Sequence, residues 1–176
     1  MRVLFTSPIL EHPAAGGPQL RIENSIKALS KLCELDIVNR DANALPETND
    51  FFQKYAAEYH VLTRPLVNGL LSRSISLVEK VLNRIFDLRI IQHANYIIRH
   101  VDRREIEVLW FGYGNISYPL IKRIKSLRPE LKVVCDTDSV WSRFVLRELP
   151  YAKGLRKLRI FITGHRKKAE EKAWVK

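Results

Sequence analysis

The sequence predicts an α/β fold: an open parallel sheet flanked by helices. Three observations lead there. Short apolar runs alternate with stretches whose apolar residues recur every three to four positions, a strand–helix–strand rhythm. Several of the runs, such as Val108-Leu109-Trp110-Phe111, are continuously apolar, as expected of strands buried on both faces of a parallel sheet. No internal repeat or low-complexity tract interrupts the pattern, and 176 residues suit one domain with a sizeable core. Repeated β-α-β units of this kind define a Rossmann-like arrangement.

The first strand is Arg2 to Thr6, followed by a loop from Ser7 to Pro18 that carries Gly16-Gly17. A helix follows from about Gln19 to Leu32, with apolar residues at Leu20, Ile22, Ile26, Leu29 and Leu32. Glu34 to Val38 is the second strand. Asp41 to Asp50 is polar, contains Pro46 and reads as a loop, with a short helix over residues 51–58. Tyr59 to Leu62 is the third strand, stopped by Pro65. A long helical stretch from about Arg73 to Arg103 is apolar over more than one stripe, so a break or two packed faces is expected. Val108–Phe111 and Leu131–Cys135 are the fourth and fifth strands, separated by a helix from about Ser117 to Leu127. Two helices, roughly Val140–Leu149 and Leu155–Val175, close the chain, and the next element in the rhythm would be a strand. The expectation is a single domain, residues 1–176, of a longer protein.

Composition narrows the function classes. No apolar run reaches the roughly 20 residues of a membrane span, and the N-terminus lacks the apolar segment of a secretory signal. Two cysteines, Cys33 and Cys135, form no disulfide framework or metal motif and fit a reducing cytosol. The net charge of +11 is uneven: Lys153 to Lys176 holds nine Lys or Arg against two Glu, a net of +7. Such a tail is either a solvated helix face or a surface for a polyanion, whether anionic lipid, nucleic acid or a phosphorylated ligand. Zinc-protease, CxxC and zinc-finger patterns and a recognisable RNA-binding strand motif are absent.

Ligands of open parallel sheets sit beyond the carboxyl ends of the strands. The residues there are Ser7-Pro8 with Gly16-Gly17, then Gly112-Tyr113-Gly114-Asn115, then Asp136-Thr137-Asp138-Ser139, and the three loops should converge on one rim. Gly16-Gly17 at a helix start is either a plain turn or an anion-accepting backbone. It is neither a dinucleotide fingerprint nor a Walker loop. Arg21, one turn on, is either a surface arginine or a guanidinium for the same anion. Asp136 and Asp138 are either a divalent-metal pair or, with Ser139, a helix cap and an acceptor of sugar hydroxyls. His12 is either a loop histidine in solvent or a base near the rim. Trp110 and Trp141 read as core, and Glu11 and Glu148 have no partner legible in the sequence.

The stretch MRVLFTSPILEHPAAGGPQLRIENSIKALSKLCELDIV resembles the start of GT-B glycosyltransferases of glycosyltransferase family four, through Pro8, Pro13, Gly16, Gly17, Arg21, Ala28, Leu29, Ser30 and Val38. VLWFGYGNISYPLIKRI and KVVCDTDSVWSRF resemble later parts of the same N-terminal domain, so the likeness spans most of the chain apart from about residues 42–105. The resemblance implies one half of a GT-B fold that binds a sugar or lipid-linked acceptor. A C-terminal domain, absent from this chain, would hold the nucleotide sugar. It implies that Gly16 and Gly17 lie near the donor diphosphate, and that Arg21, Tyr113, Asn115, Asp136 and Asp138 face the acceptor. No metal and no cofactor beyond the donor sugar are implied, so the chain alone should be inactive. The family often carries a His-Asp pair after the fifth strand. Here Thr137-Asp138 stands there, so no catalytic residue is assigned. A cytoplasmic location, peripheral at the inner membrane face, is expected. The competing expectations are a stand-alone module for a phosphorylated ligand or nucleotide, and a basic interaction domain for membrane or nucleic acid.

Overall fold

The computed structural model describes residues 1–41, 43–62, 88–137 and 140–174. Five parallel strands form one sheet: β1 (Arg2–Ser7), β2 (Glu34–Asn39), β3 (Glu58–Val61), β4 (Val108–Gly112) and β5 (Lys132–Asp136). Their order is β3-β2-β1-β4-β5. The open parallel α/β sheet expected of the sequence is therefore present. The direction of strand succession reverses between β1 and β4, which makes their carboxyl ends the topological switch point.

Side-chain alternation along each strand feeds two cores. Val3, Phe5, Leu35 and Ile37 point to one face, where they pack with Ile22 and Ile26 of α1 (Gly17–Leu32) and Phe52 of α2 (Pro46–Gln53). Leu4, Val38, Leu109 and Phe111 point to the other face. There they meet Ala94, Ile97 and Val101 of α3 (Leu88–Arg104) and Leu120, Ile121 and Ile124 of α4 (Tyr118–Leu127). Each such large side chain contributes about 1.5–3 kcal/mol when fully buried. Two layers of helix on a central sheet give ample apolar burial. The remaining helices, α5 (Trp141–Leu146) and α6 (Gly154–Trp174), pack on each other. A Cβ on Gly164 of α6 would lie 2.4 Å from Leu146 Cδ2, so glycine permits the close approach.

Two helix placements differ from expectation. The short helix after β2 runs Pro46–Gln53, not over 51–58. Pro46 read as a breaker, yet it occupies the first turn, where its missing N–H leaves no helical bond unmade. The helix expected over residues 140–149 ends at Leu146 and is followed by a separate 3₁₀ turn, Leu149–Tyr151. The first half of the expected long helix, residues 73–87, lies outside the described residues, as do Pro65, Asp138, Ser139 and Val175.

Candidate functional site at the carboxyl rim

β1, β4 and β5 are neighbours, so the loops that leave them share one edge of the sheet. An ion pair ties the first loop region to the last: an Arg21 Nη of α1 donates to Asp136 Oδ1 at the end of β5. Arg21 is half exposed, while the Asp136 side chain is only 10% exposed. The guanidinium thus spans the switch point from the α1 side and covers the carboxylate. Gly112 is the register partner of Asp136, which places the turn after β4 beside the end of β5.

That turn is tightly built. Tyr113 takes a left-handed conformation, with φ 60° and ψ 51°, costly for a residue with a bulky side chain. Its ring packs against the β1–β2 core rather than standing free over the rim. Gly114–Ile116 forms a 3₁₀ turn, with the Ser117 N–H donating to Gly114 O. Asn115 within it is 2% exposed, and among the described residues neither its Oδ1 nor its Nδ2 has a hydrogen-bond partner.

Gly16 and Gly17 begin α1 without a side-chain cap. Gly16 has extended backbone, with φ −162°, and a Cβ there would meet only the flexible end of Gln19 at 3.1 Å. A Cβ on Gly17 would meet nothing within 4 Å. Among the described residues, neither glycine is demanded by backbone angle or by packing. The unfilled space lies outside the helix start, against an open depression lined by Gly17, Leu20, Arg21, Asn24, Ser25 and Ala28.

His12 is not a solvated loop histidine. Its ring stacks on Phe51, with centroids 3.4 Å apart, and its Nδ1 lies 3.1 Å from Glu23 Oε2. The His12 N–H donates to Thr48 Oγ1, whose hydroxyl returns a bond to His12 O. Burial would raise the Glu23 carboxyl, but hydrogen bonds from Lys27 and His12 outweigh it and hold the group below its ordinary range. Glu11 and Glu148 also have partners, Gln19 and Arg156. Trp110 packs in the α1-side core as expected, with its Nε1 shielded and unpaired. Burial, and then the Asp136 charge, push the Cys135 thiol up to about 11, so it is protonated at neutral pH and a poor nucleophile.

Three residues that the sequence did not single out belong to the same rim. Arg40 follows β2, and its N–H donates to Ser7 O at the end of β1. Its side chain crosses β1, passes over the Phe111 ring with Cζ 5.6 Å from the centroid, and donates to Ser117 Oγ beyond β4. His93, near the start of α3, is pushed down to about 4 by burial and then by the Arg40 and Arg89 charges. Only the strand order reveals these positions, because Arg40 and Ser117 are 77 residues apart.

Among the described residues, Glu58, His60 and His100 place one potential metal-ligand atom each within 4.8 Å of one another. Arg103 and Arg104 occupy the Glu58 oxygens and Asp36 holds His100 Nε2, so guanidiniums fill the place of a cation. With Asp138 outside the described residues, the Asp136–Asp138 metal reading rests on Asp136 alone, which is engaged by Arg21.

Against protein-family models, curated proteins and solved structures, the chain has no match.

Proposed function

We propose that this chain is the acceptor-binding, Rossmann-like half of a nucleotide-sugar-dependent GT-B glycosyltransferase that acts on a carbohydrate or lipid-linked acceptor. The observation that carries the reading is the Arg21–Asp136 bridge. It ties the start of α1 to the end of β5, two of the rim regions in which the motif resemblance lies. The open approach to Gly16 and Gly17 supports their role beside a donor diphosphate, since free helix N–H groups favour an anion. Arg21, Asn115 and Asp136 supply donors and an acceptor for sugar hydroxyls. Tyr113 shapes the turn between them. The nucleotide sugar is the co-substrate, and no metal or further cofactor is assigned.

The test is to read the coding sequence past Lys176 and to assay the longest encoded chain for nucleotide-sugar consumption. A further β-α-β domain of about 150–200 residues is expected, with transfer by the longer chain and none by residues 1–176. Turnover by this chain alone refutes the division of labour. A stop codon together with tight nucleotide binding by this chain favours a stand-alone nucleotide module instead.

Among the described residues, no helix is long and apolar enough to cross a membrane. Contact with a membrane surface is proposed through α6. Leu155, Leu158, Phe161 and Ile162 are exposed along one side of it, flanked by Arg156, Lys157, Arg159 and Arg166. Exposed apolar residues bordered by cations suit the interface of an anionic bilayer, where each well-placed Lys or Arg adds about 1 kcal/mol. The protein should float with anionic vesicles and remain behind with neutral ones. Equal behaviour with both removes membrane docking and the proposed place at the inner membrane face.

A further inference from the structure

Arg40 is a shielded cation without a counter-ion among the described residues. Ser117 Oγ is the acceptor its side chain reaches, its Nε is fully shielded and unpaired, and no carboxylate pairs with it among the described residues. Two residues before Ser117, the buried Asn115 leaves both amide atoms unsatisfied. A buried polar group without a partner costs about 1–3 kcal/mol, and more when it is charged. Arg40 reaches Ser117 and Asn115 lies two residues before it, in the turn that leaves β4 at the switch point where an α/β sheet binds its ligand.

We propose that Arg40, Asn115 and Ser117 form a subsite for an oxyanion, a phosphate or carboxylate group carried by the acceptor. Naming the ligand an acceptor rests on the glycosyltransferase reading, but the anion preference does not. A guanidinium offers five donors and no acceptor, so it matches an oxyanion and leaves a neutral hydroxyl with nothing to balance its charge. Asn115 Nδ2 and the Ser117 hydroxyl add donors of the same sense. Among the described residues, Asp136 is engaged by Arg21, and Asp41 Oδ1 accepts the Asn43 N–H. Burial and then the Arg40 and Arg89 charges lower the His93 pKa to about 4, so His93 adds no charge of its own at neutral pH.

The experiment is an NMR titration of the whole 176-residue chain at constant ionic strength, with inorganic phosphate, with glucuronate, and with glucose as the neutral control. Saturable shifts are expected at the Arg40 Nε–H, the Asn115 side-chain amide and the Ser117 N–H with at least one of the two anions, and none with glucose. A response to phosphate alone assigns a phosphorylated ligand, and a response to glucuronate alone assigns a carboxylate. Arg40→Gln should weaken binding about tenfold or more, the loss of a charge-assisted bond pair. Asn115→Asp, which keeps the shape and adds a negative charge, should weaken it as well. If both variants fail to fold, the wild-type titration decides alone. No response to either anion, or shifts confined to the basic helix α6, overturns the proposal. Anion binding at Arg40 in a longer chain that transfers no sugar would overturn the enzymatic reading and leave the subsite standing.

Discussion

Asp36→Ala is expected to cost about 3–5 kcal/mol, the penalty of breaking a buried charge network from one side. Asp36 is 1% exposed in the middle of β2. Its Oδ2 accepts from His100 Nε2 at 2.9 Å and Arg104 Nε at 3.1 Å, and its Oδ1 accepts the Glu58 N–H at 3.2 Å. Burial lowers the His100 pKa more than Asp36 raises it, so the ring is a neutral donor at pH 7. Alanine would leave the buried His100 Nε2–H without its acceptor and remove one acceptor each from Arg104, which retains Glu34 and Glu58, and from the Glu58 N–H. With total stabilities of about 5–15 kcal/mol, that loss is a large share of the whole. Urea unfolding followed by circular dichroism measures it. Asp36→Asn, which keeps one oxygen acceptor and loses the charge, should fall between alanine and wild type. A loss below about 1 kcal/mol for alanine would mean that the network is not held together through Asp36.

Gly114→Ala should cost about 2–3 kcal/mol, at the upper end of overpacking penalties. Its Cβ would stand 2.2 Å from Cys135 Sγ and 3.2 Å from Cys135 Cα. The thiol can rotate away, but the β5 backbone cannot, so the turn that carries Asn115 has to shift. Cys135→Ala in the same chain removes the sulfur contact and leaves the backbone one. The double variant should therefore recover part of the loss, a coupling that a double-mutant cycle reads directly. Full additivity would mean that the turn relaxes without pressing on β5. Because the shift moves Asn115 and Ser117, phosphate binding should weaken in parallel with stability.

The rim illustrates what reaches the surface of a sequence and what stays hidden. The rim placement of Gly16, Gly17, Arg21, Asn115 and Asp136 was legible because each lies at or near a junction of elements whose period is visible, where ligands of parallel sheets gather. Arg40 also follows a strand, yet nothing local distinguishes it from other basic residues of a chain with 30 Lys or Arg. His12 read as solvated because its partners, Glu23 and Phe51, come from two different helices.

By itself, the sequence determined the α/β class, the apolar strands and the amphipathic helices, because hydrophobic period and turn chemistry are local properties of the chain. Tertiary structure alone decided the order β3-β2-β1-β4-β5 and everything that depends on it. Arg21 meets Asp136 across 115 residues, Asp36 meets His100 across 64, and Gly114 presses on Cys135 because β4 lies beside β5. The reason is physical: a charge or a missing side chain acquires its meaning from its neighbours in space. Those neighbours are set by which strands pair, a choice settled by burial of the whole sheet rather than by any one segment.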